Sequence, residues 1–115
     1  MTDIIYMDCA ATTPPLPAVV ARMAEVSSLV YGNPSSAHEM GAQAEKILDE
    51  SRREVAGALG CKPEELVFTS GGTEADNLAL FGTAYAQRKK HLVVSAIEHS
   101  AVLESAKELE RRGFG

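Results

Sequence analysis

The chain has 115 residues, 45% of them apolar, and a formal net charge of −5 at neutral pH. That length allows one small core, and the acidic balance excludes nucleic acid and anionic membrane as main partners, since both need a basic surface. Cys9 and Cys61 are too few for a disulfide framework and too far apart for a zinc knuckle, so no metal site is expected and free thiols in a reducing, cytoplasmic setting are.

The longest apolar runs are too short to cross a bilayer, and "MTDIIYMD" lacks both the basic start and the apolar core of a secretory leader. "IIYMD" reads as a brief extended segment. "TTPPLP" interrupts regular structure until Pro17 opens a helix at its first position, with Val19, Val20, Met23, Val26 and Val30 as an apolar stripe. "YGNPSS" is a loop. Ser36 with Glu39 has the spacing of a capping box for a longer helix that Gly60 ends, with Met40, Ala44, Ile47, Leu48, Val55 and Leu59 facing inward.

After the turn "KPEE", Leu66–Thr69 is β-prone, and Gly71 and Gly72 lead into a helix from Thr73 to about Arg88. Thr73 sits as a natural N-cap, with Asp76 at the position of a capping box. A strand, a glycine turn and an open helix start make a ready anion site, and equally an ordinary capped turn. "HLVVS" is the next strand. The last helix, "HSAVLESAKELERRG", turns Val102, Leu103, Ala106 and Leu109 inward and stops at Gly113. Strand, helix, strand in this order is a parallel crossover unit, so the expected class is α/β, with Leu66–Thr69 and Leu92–Ser95 as parallel neighbours. Two strands are an incomplete sheet, and exposed apolar surface is expected where further elements belong.

Four segments, "YMDCAATTP", "GNPSSAHEMG", "FTSGGTEADNLAL" and "IEHSAVL", occur in the order and spacing found at the start of the cysteine desulfurases, and the chain resembles this NifS/IscS-like branch of the class V pyridoxal-phosphate enzymes over nearly its whole length. The resemblance implies that residues 1–115 are the N-terminal portion of an aminotransferase class V domain of fold type I, with no complete second domain. It implies a homodimer that takes sulfur from L-cysteine as an enzyme persulfide, releases L-alanine, and supplies iron–sulfur cluster or thio-cofactor assembly through a scaffold or sulfur-acceptor protein. The cofactor implied is pyridoxal 5′-phosphate. Gly72 and Thr73 match residues that hold its phosphate, and His99 matches the histidine that stacks on its ring and takes part in proton movement.

Ala10, Ala11 and Thr12 are candidates for the substrate pocket, as is Asn33 in the "NPSSAH" loop, where His38 reads better as a structural residue. His91 reads as a surface residue. The family's usual asparagine is replaced by Cys9, and the family's sulfur-accepting cysteine lies downstream of residue 115, so Cys9 and Cys61 are expected to be structural or incidental. The lysine that holds the cofactor aldehyde and the acid that pairs with its ring nitrogen also lie downstream in the family. Lys46, Lys62, Lys89, Lys90 and Lys107 match neither motif. The chain by itself is therefore expected to carry half a cofactor cradle and no activity, as a fragment, one half of a split enzyme, or a non-catalytic interaction module.

Overall fold

Pro17 supplies a fixed φ at the first position of α1 (Pro17–Leu29), in a computed structural model that describes residues 4–115. The first three residues of "MTDIIYMD" lie outside the described residues. Among the described residues three further helices follow, α2 (Glu39–Leu59), α3 (Gly72–Ala86) and α4 (Ser100–Arg111), with a single 3₁₀ turn at Pro63–Glu65. The chain divides into two compact units, the first ending at Leu66 and the second being Val67–Gly115. No helix among the described residues is long and apolar enough to cross a membrane.

In the first unit, the loop before α2 folds closely on the start of that helix. Asn33 makes an Asx turn, its Oδ1 accepting the Ser35 amide at 2.9 Å while its carbonyl accepts the Ser36 amide at 2.9 Å. Ser36 is thereby used inside the loop, and the expected Ser36–Glu39 capping box does not form. His38 caps α2 instead, with Nδ1 accepting the Gly41 amide at 3.3 Å, because the helix begins at Glu39, two residues later than a Ser36 cap would start it. A Cβ on Gly41 would lie 2.2 Å from the Ser36 carbonyl oxygen, and one on Gly32 2.4 Å from that of Met40. Both glycines are required by close backbone approach.

The end of α2 follows the expectation. Gly60 takes the left-handed conformation (φ 71°), and the Cys61 amide returns to the Ala56 carbonyl, closing a Schellman turn. The 3₁₀ turn then packs on α2, with Arg52 Nη1 donating to the Leu66 carbonyl. The expected inward faces are only thinly covered. Ala56 and Gly41 are the buried residues of α2, whereas Leu48, Val55 and Leu59 are exposed, as are Val19, Val20 and Met23 of α1.

The second unit holds the larger core. α3 packs along α4, and Ala84, Leu109 and Phe114 are buried together against Leu80, Phe81 and Leu92. Gly113 (φ 86°) reverses the chain after α4, so that the Phe114 amide reaches the Leu109 carbonyl and the Gly113 amide that of Glu110. Both bonds of a Schellman motif are present, and its usual apolar contact is Phe114 against Leu109. Tyr85 meets Phe114 edge to face at 5.5 Å, and the Arg112 guanidinium lies over Phe81.

No strand is present among the described residues, and the expected parallel pairing of Leu66–Thr69 with Leu92–Ser95 is not made. A strand exists only through a neighbour's ladder, and extended backbone alone does not supply one. Two backbone bonds tie this segment to Gly115 instead: the Gly115 amide donates to the Lys90 carbonyl and the Leu92 amide to the Gly115 carbonyl, each at 2.7 Å. Exposure alternates along the same segment, with Leu92 and Val94 half-buried and Val93 fully out, as one covered sheet face requires.

Candidate functional site

The helix begins one residue earlier than the sequence suggests. Gly71 is the N-cap of α3, in extended backbone and with no side-chain cap, so Thr73 is the second helical residue rather than the cap. Glu74 then occupies the third position, the role the sequence pattern gives to Asp76. Its Oε2 reaches back to accept both the Ser70 amide and the Ser70 hydroxyl, each at 2.7 Å. The first amide of α3 to bond within the turn is that of Ala75, to Gly71 at 3.1 Å. The amides of Gly72, Thr73 and Glu74 therefore form the open, positive end of the helix. Neither glycine needs a positive φ, and a Cβ on either would meet nothing within 4 Å, so the turn has free space around it.

Those two bonds from Ser70 hold the Glu74 carboxyl below the usual carboxylate range, the hydroxyl contributing most and the amide next. A depressed folded value stabilises the turn above the ordinary glutamate value, about 4.3, and this contribution is lost as pH falls through the lower, folded value. Amide exchange of Ser70, corrected for its intrinsic rate, is expected to quicken severalfold on acidification below about pH 4.3. In Glu74→Gln it should already be that fast at neutral pH and show no acid step. An acid step that persists in the variant would assign the effect to another group.

Thr73, Asn77 and Phe81 recur every fourth residue and form one ridge of α3. That ridge faces the start of α4 across a cleft of about 380 Å³, whose other wall is His99, Ser100, Ala101, Glu104, Ser105 and Glu108. Thr73 and His99 are thus brought onto one cleft, while Gly72 stands beside Thr73 at the helix start and is not itself on the wall. His99 is the N-cap of α4, its Nδ1 accepting the Ala101 amide at 3.1 Å. It is both a cap and a cleft residue. Asn77 Nδ2 donates to the Thr73 carbonyl at 2.8 Å and stiffens the first turn of α3.

The acidic members of the cleft are each engaged by cations on their own helix. Lys107 bonds to Glu104 at 2.6 Å and holds its carboxyl low. Glu108 is held low chiefly by its hydrogen bond from Arg112, with Arg111 as a second partner. Both remain anionic at neutral pH, and their charge is largely answered before any ligand arrives. No lysine lines this cleft.

Asn77, which lies within the segment "FTSGGTEADNLAL", and Phe81 and Ser105, which lie outside the quoted segments, line the cleft without having been named as candidates. The fourfold spacing from Thr73, and that from Ala101 to Ser105, is the signal that finds them. The candidates for the substrate pocket belong to the first unit. Ala11 and Thr12 close a turn on the Asp8 carbonyl, Thr12 borders a shallow recess with Ile4, Tyr6, Thr13 and Pro14, and Asn33 is occupied by its Asx turn. Cys9 is exposed, Cys61 is half-buried, and both are free thiols.

The aminotransferase class-V family model matches residues 5–114. The chain is 46% identical over 115 residues to the cysteine desulfurase IscS of Proteus mirabilis and 47% identical to that of Pectobacterium carotovorum, covering 96% of itself and 28% of each relative. Among solved structures, a NifS-like protein superposes with a TM-score of 0.89 at 40% identity, and DndA from Streptomyces lividans with 0.76 at 38%; the chain covers 31% and 32% of them. It therefore spans about a third or less of the proteins it matches. With a family match over nearly every residue and a superposition of this closeness, the chain belongs to the aminotransferase class-V family, among relatives named as cysteine desulfurases.

Proposed function

We propose that residues 1–115 are the N-terminal portion of one class-V domain and contribute the phosphate and ring contacts of a pyridoxal 5′-phosphate site. The reaction served is sulfur transfer from L-cysteine, giving L-alanine and a persulfide for iron–sulfur or thio-cofactor assembly in the cytoplasm. The observation that carries this reading is the meeting of Thr73, at the open end of α3, with His99 on one cleft. The Thr73 hydroxyl and the amides of Gly72 and Thr73 suit a phosphate, which needs several donors and a positive field. The His99 ring, fixed by its cap bond, suits a flat heteroaromatic partner.

When bound, the cofactor supplies the electron sink for breaking bonds in the amino-acid substrate. The chain's own residues bind and orient it. Asn77 steadies the turn that holds the phosphate, and Phe81 gives the cleft an apolar side. The residues fit the phosphate and the ring, whereas no lysine among the lining residues can hold the aldehyde. The lysine, the ring-nitrogen acid, the substrate-carboxylate arginine and the persulfide cysteine are assigned to the portion of the fold that the relatives have beyond this length. In that larger fold we assign the segments 66–69 and 92–95 to neighbouring parallel strands, and the working enzyme to a homodimer.

Titrating the chain with pyridoxal 5′-phosphate and following backbone amide signals tests the reading. The amides of Gly72 and Thr73 and the ring of His99 are expected to shift, and pyridoxal without its phosphate should shift them far less. Borohydride treatment should give scattered low-level lysine labelling, and L-cysteine should yield neither sulfide nor alanine. Unmoved Gly72 and Thr73 signals would refute the phosphate assignment. A single stoichiometric lysine adduct with cysteine-dependent sulfide release would refute the assignment of catalysis to the portion that the relatives have beyond this length.

A further inference from the structure

Basic side chains are unevenly spread over the second unit. Val67–Gly115 carries as many acidic as basic residues, yet every Lys and Arg in it except Lys107 stands where a helix finishes: Arg88, Lys89 and Lys90 after α3, Arg111 and Arg112 at the close of α4. The two helix ends meet there. Arg112 Nη1 donates to the Tyr85 hydroxyl at 3.3 Å, Tyr85 meets the Phe114 ring, Lys90 Nζ lies 5.9 Å over that ring, and the Gly115 amide reaches the Lys90 carbonyl. Arg111 and Arg112 are already bonded to Glu108. Arg88, Lys89 and Lys90 are exposed and have no acidic partner among the described residues.

A helix end calls for some of this charge, but not for all of it. The macrodipole leaves only about half an elementary charge at the end of α3, which three consecutive cations exceed severalfold. Beside them lies a recess of about 240 Å³ lined by Thr83, Ala84, Gln87, Lys89, His91 and Leu92. Ala84 and Leu92 give it an apolar part, and the other four supply polar atoms. We infer that this end of the unit is a docking surface for an acidic segment of a partner protein, with one carboxylate side chain seated in the recess beside Lys89 and further carboxylates meeting Arg88 and Lys90. Charge complementarity selects that occupant. The apolar part suits the aliphatic stem of a glutamate, and the ammonium and amide groups suit its carboxylate. A nucleic acid matches less well, because it needs an extended basic track, whereas Glu108 sits against Arg111 and Arg112 and the chain as a whole carries −5. The surface stands the length of α3 away from Thr73, about 20 Å, and rests on no part of the cofactor reading.

Titrating the 115-residue chain with a hexaglutamate peptide blocked at both ends, and following backbone amide signals, tests the surface. The amides of residues 87–92 are expected to shift most, and a hexaglutamine peptide should leave them unmoved. Affinity should fall steeply between about 20 mM and about 200 mM salt, as exposed charges are screened. Replacing Arg88, Lys89 and Lys90 together by Gln should weaken binding about tenfold, or about 1.4 kcal/mol. Replacing Arg22, Lys46 and Lys62 by Gln removes the same charge from the first unit and should change binding less than about twofold, as for charges beyond screening range. Equal losses in the two triple variants would mean that net charge alone is read, and would overturn the surface. So would no response to hexaglutamate, or the largest shifts falling at Gly72 and Thr73, and tighter binding of hexathymidylate would assign the patch to nucleic acid instead. Among single changes Lys89→Gln should cost most, since Lys89 alone of the three lines the recess; a loss no greater than those of Arg88→Gln and Lys90→Gln would overturn the seating of a carboxylate there.

Discussion

Leu109→Ala is expected to cost the second unit about 2–5 kcal/mol, as truncations of fully enclosed leucines do, and to melt α3 and α4 together. Leu109 is 1% exposed and the largest fully buried side chain among the described residues. It joins Ala84 to Phe114, and Phe114 in turn is fixed by the Schellman turn at Gly113. Whole domains are stable by only about 5–15 kcal/mol, and a unit with three buried apolar residues has little to lose. Urea unfolding followed by circular dichroism should show the loss directly, and Leu109→Met, which conserves volume, should cost less than about 1.5 kcal/mol. A Leu109→Ala cost below about 1 kcal/mol, well under the range for buried leucines, would mean that the α3–α4 pair is held by something other than this cluster.

Gly41→Ala carries the second large effect, through backbone rather than side-chain loss. The added methyl would lie 2.2 Å from the Ser36 carbonyl oxygen and 2.9 Å from that of Asn33. Both are backbone atoms that a side-chain rotation cannot move aside. Relief requires shifting the "GNPSSAH" loop off the start of α2, which breaks the His38 cap on the same residue and costs about 1–3 kcal/mol by the usual scale of overpacking. Around Gly57, in the same helix, a methyl would meet nothing within 4 Å. Alanine there should instead stabilise α2 by about 0.8–1.0 kcal/mol through helix propensity. Thermal unfolding of the two variants beside the parent tests both signs, and a neutral Gly41→Ala would show that the loop is not held against the helix.

Sequence chemistry is most readable where one residue decides a local conformation. Pro17 opens α1, and Gly60 and Gly113 stop α2 and α4 in the left-handed conformation, because no neighbour is needed to explain those choices. Caps are less legible. Ser36 and Thr73 have the right chemistry, but a shift of one or two residues in helix start hands the role to His38 and Gly71, and nothing local to the motif fixes that register. The strands are unreadable for a different reason. β-branched composition at 66–69 and 92–95 describes willingness to pair, while pairing itself needs another segment's backbone groups. At the site, the motifs point to Thr73 and His99, while the fourfold spacings Thr73–Asn77–Phe81 and Ala101–Ser105 lead to the other wall residues.

The position of Phe114 in the core has a bearing on how the chain is made. Ala84 leaves the ribosome 30 residues before Phe114, an interval of about 2–6 s at ordinary translation speeds. Throughout that interval α3 has been synthesised and its apolar ridge has no complete partner, since Leu109 and Phe114, which close over Ala84, arrive last. The nascent chain thus crosses a window in which chaperone capture competes with self-association, and the window shuts only when the turn at Gly113 has emerged.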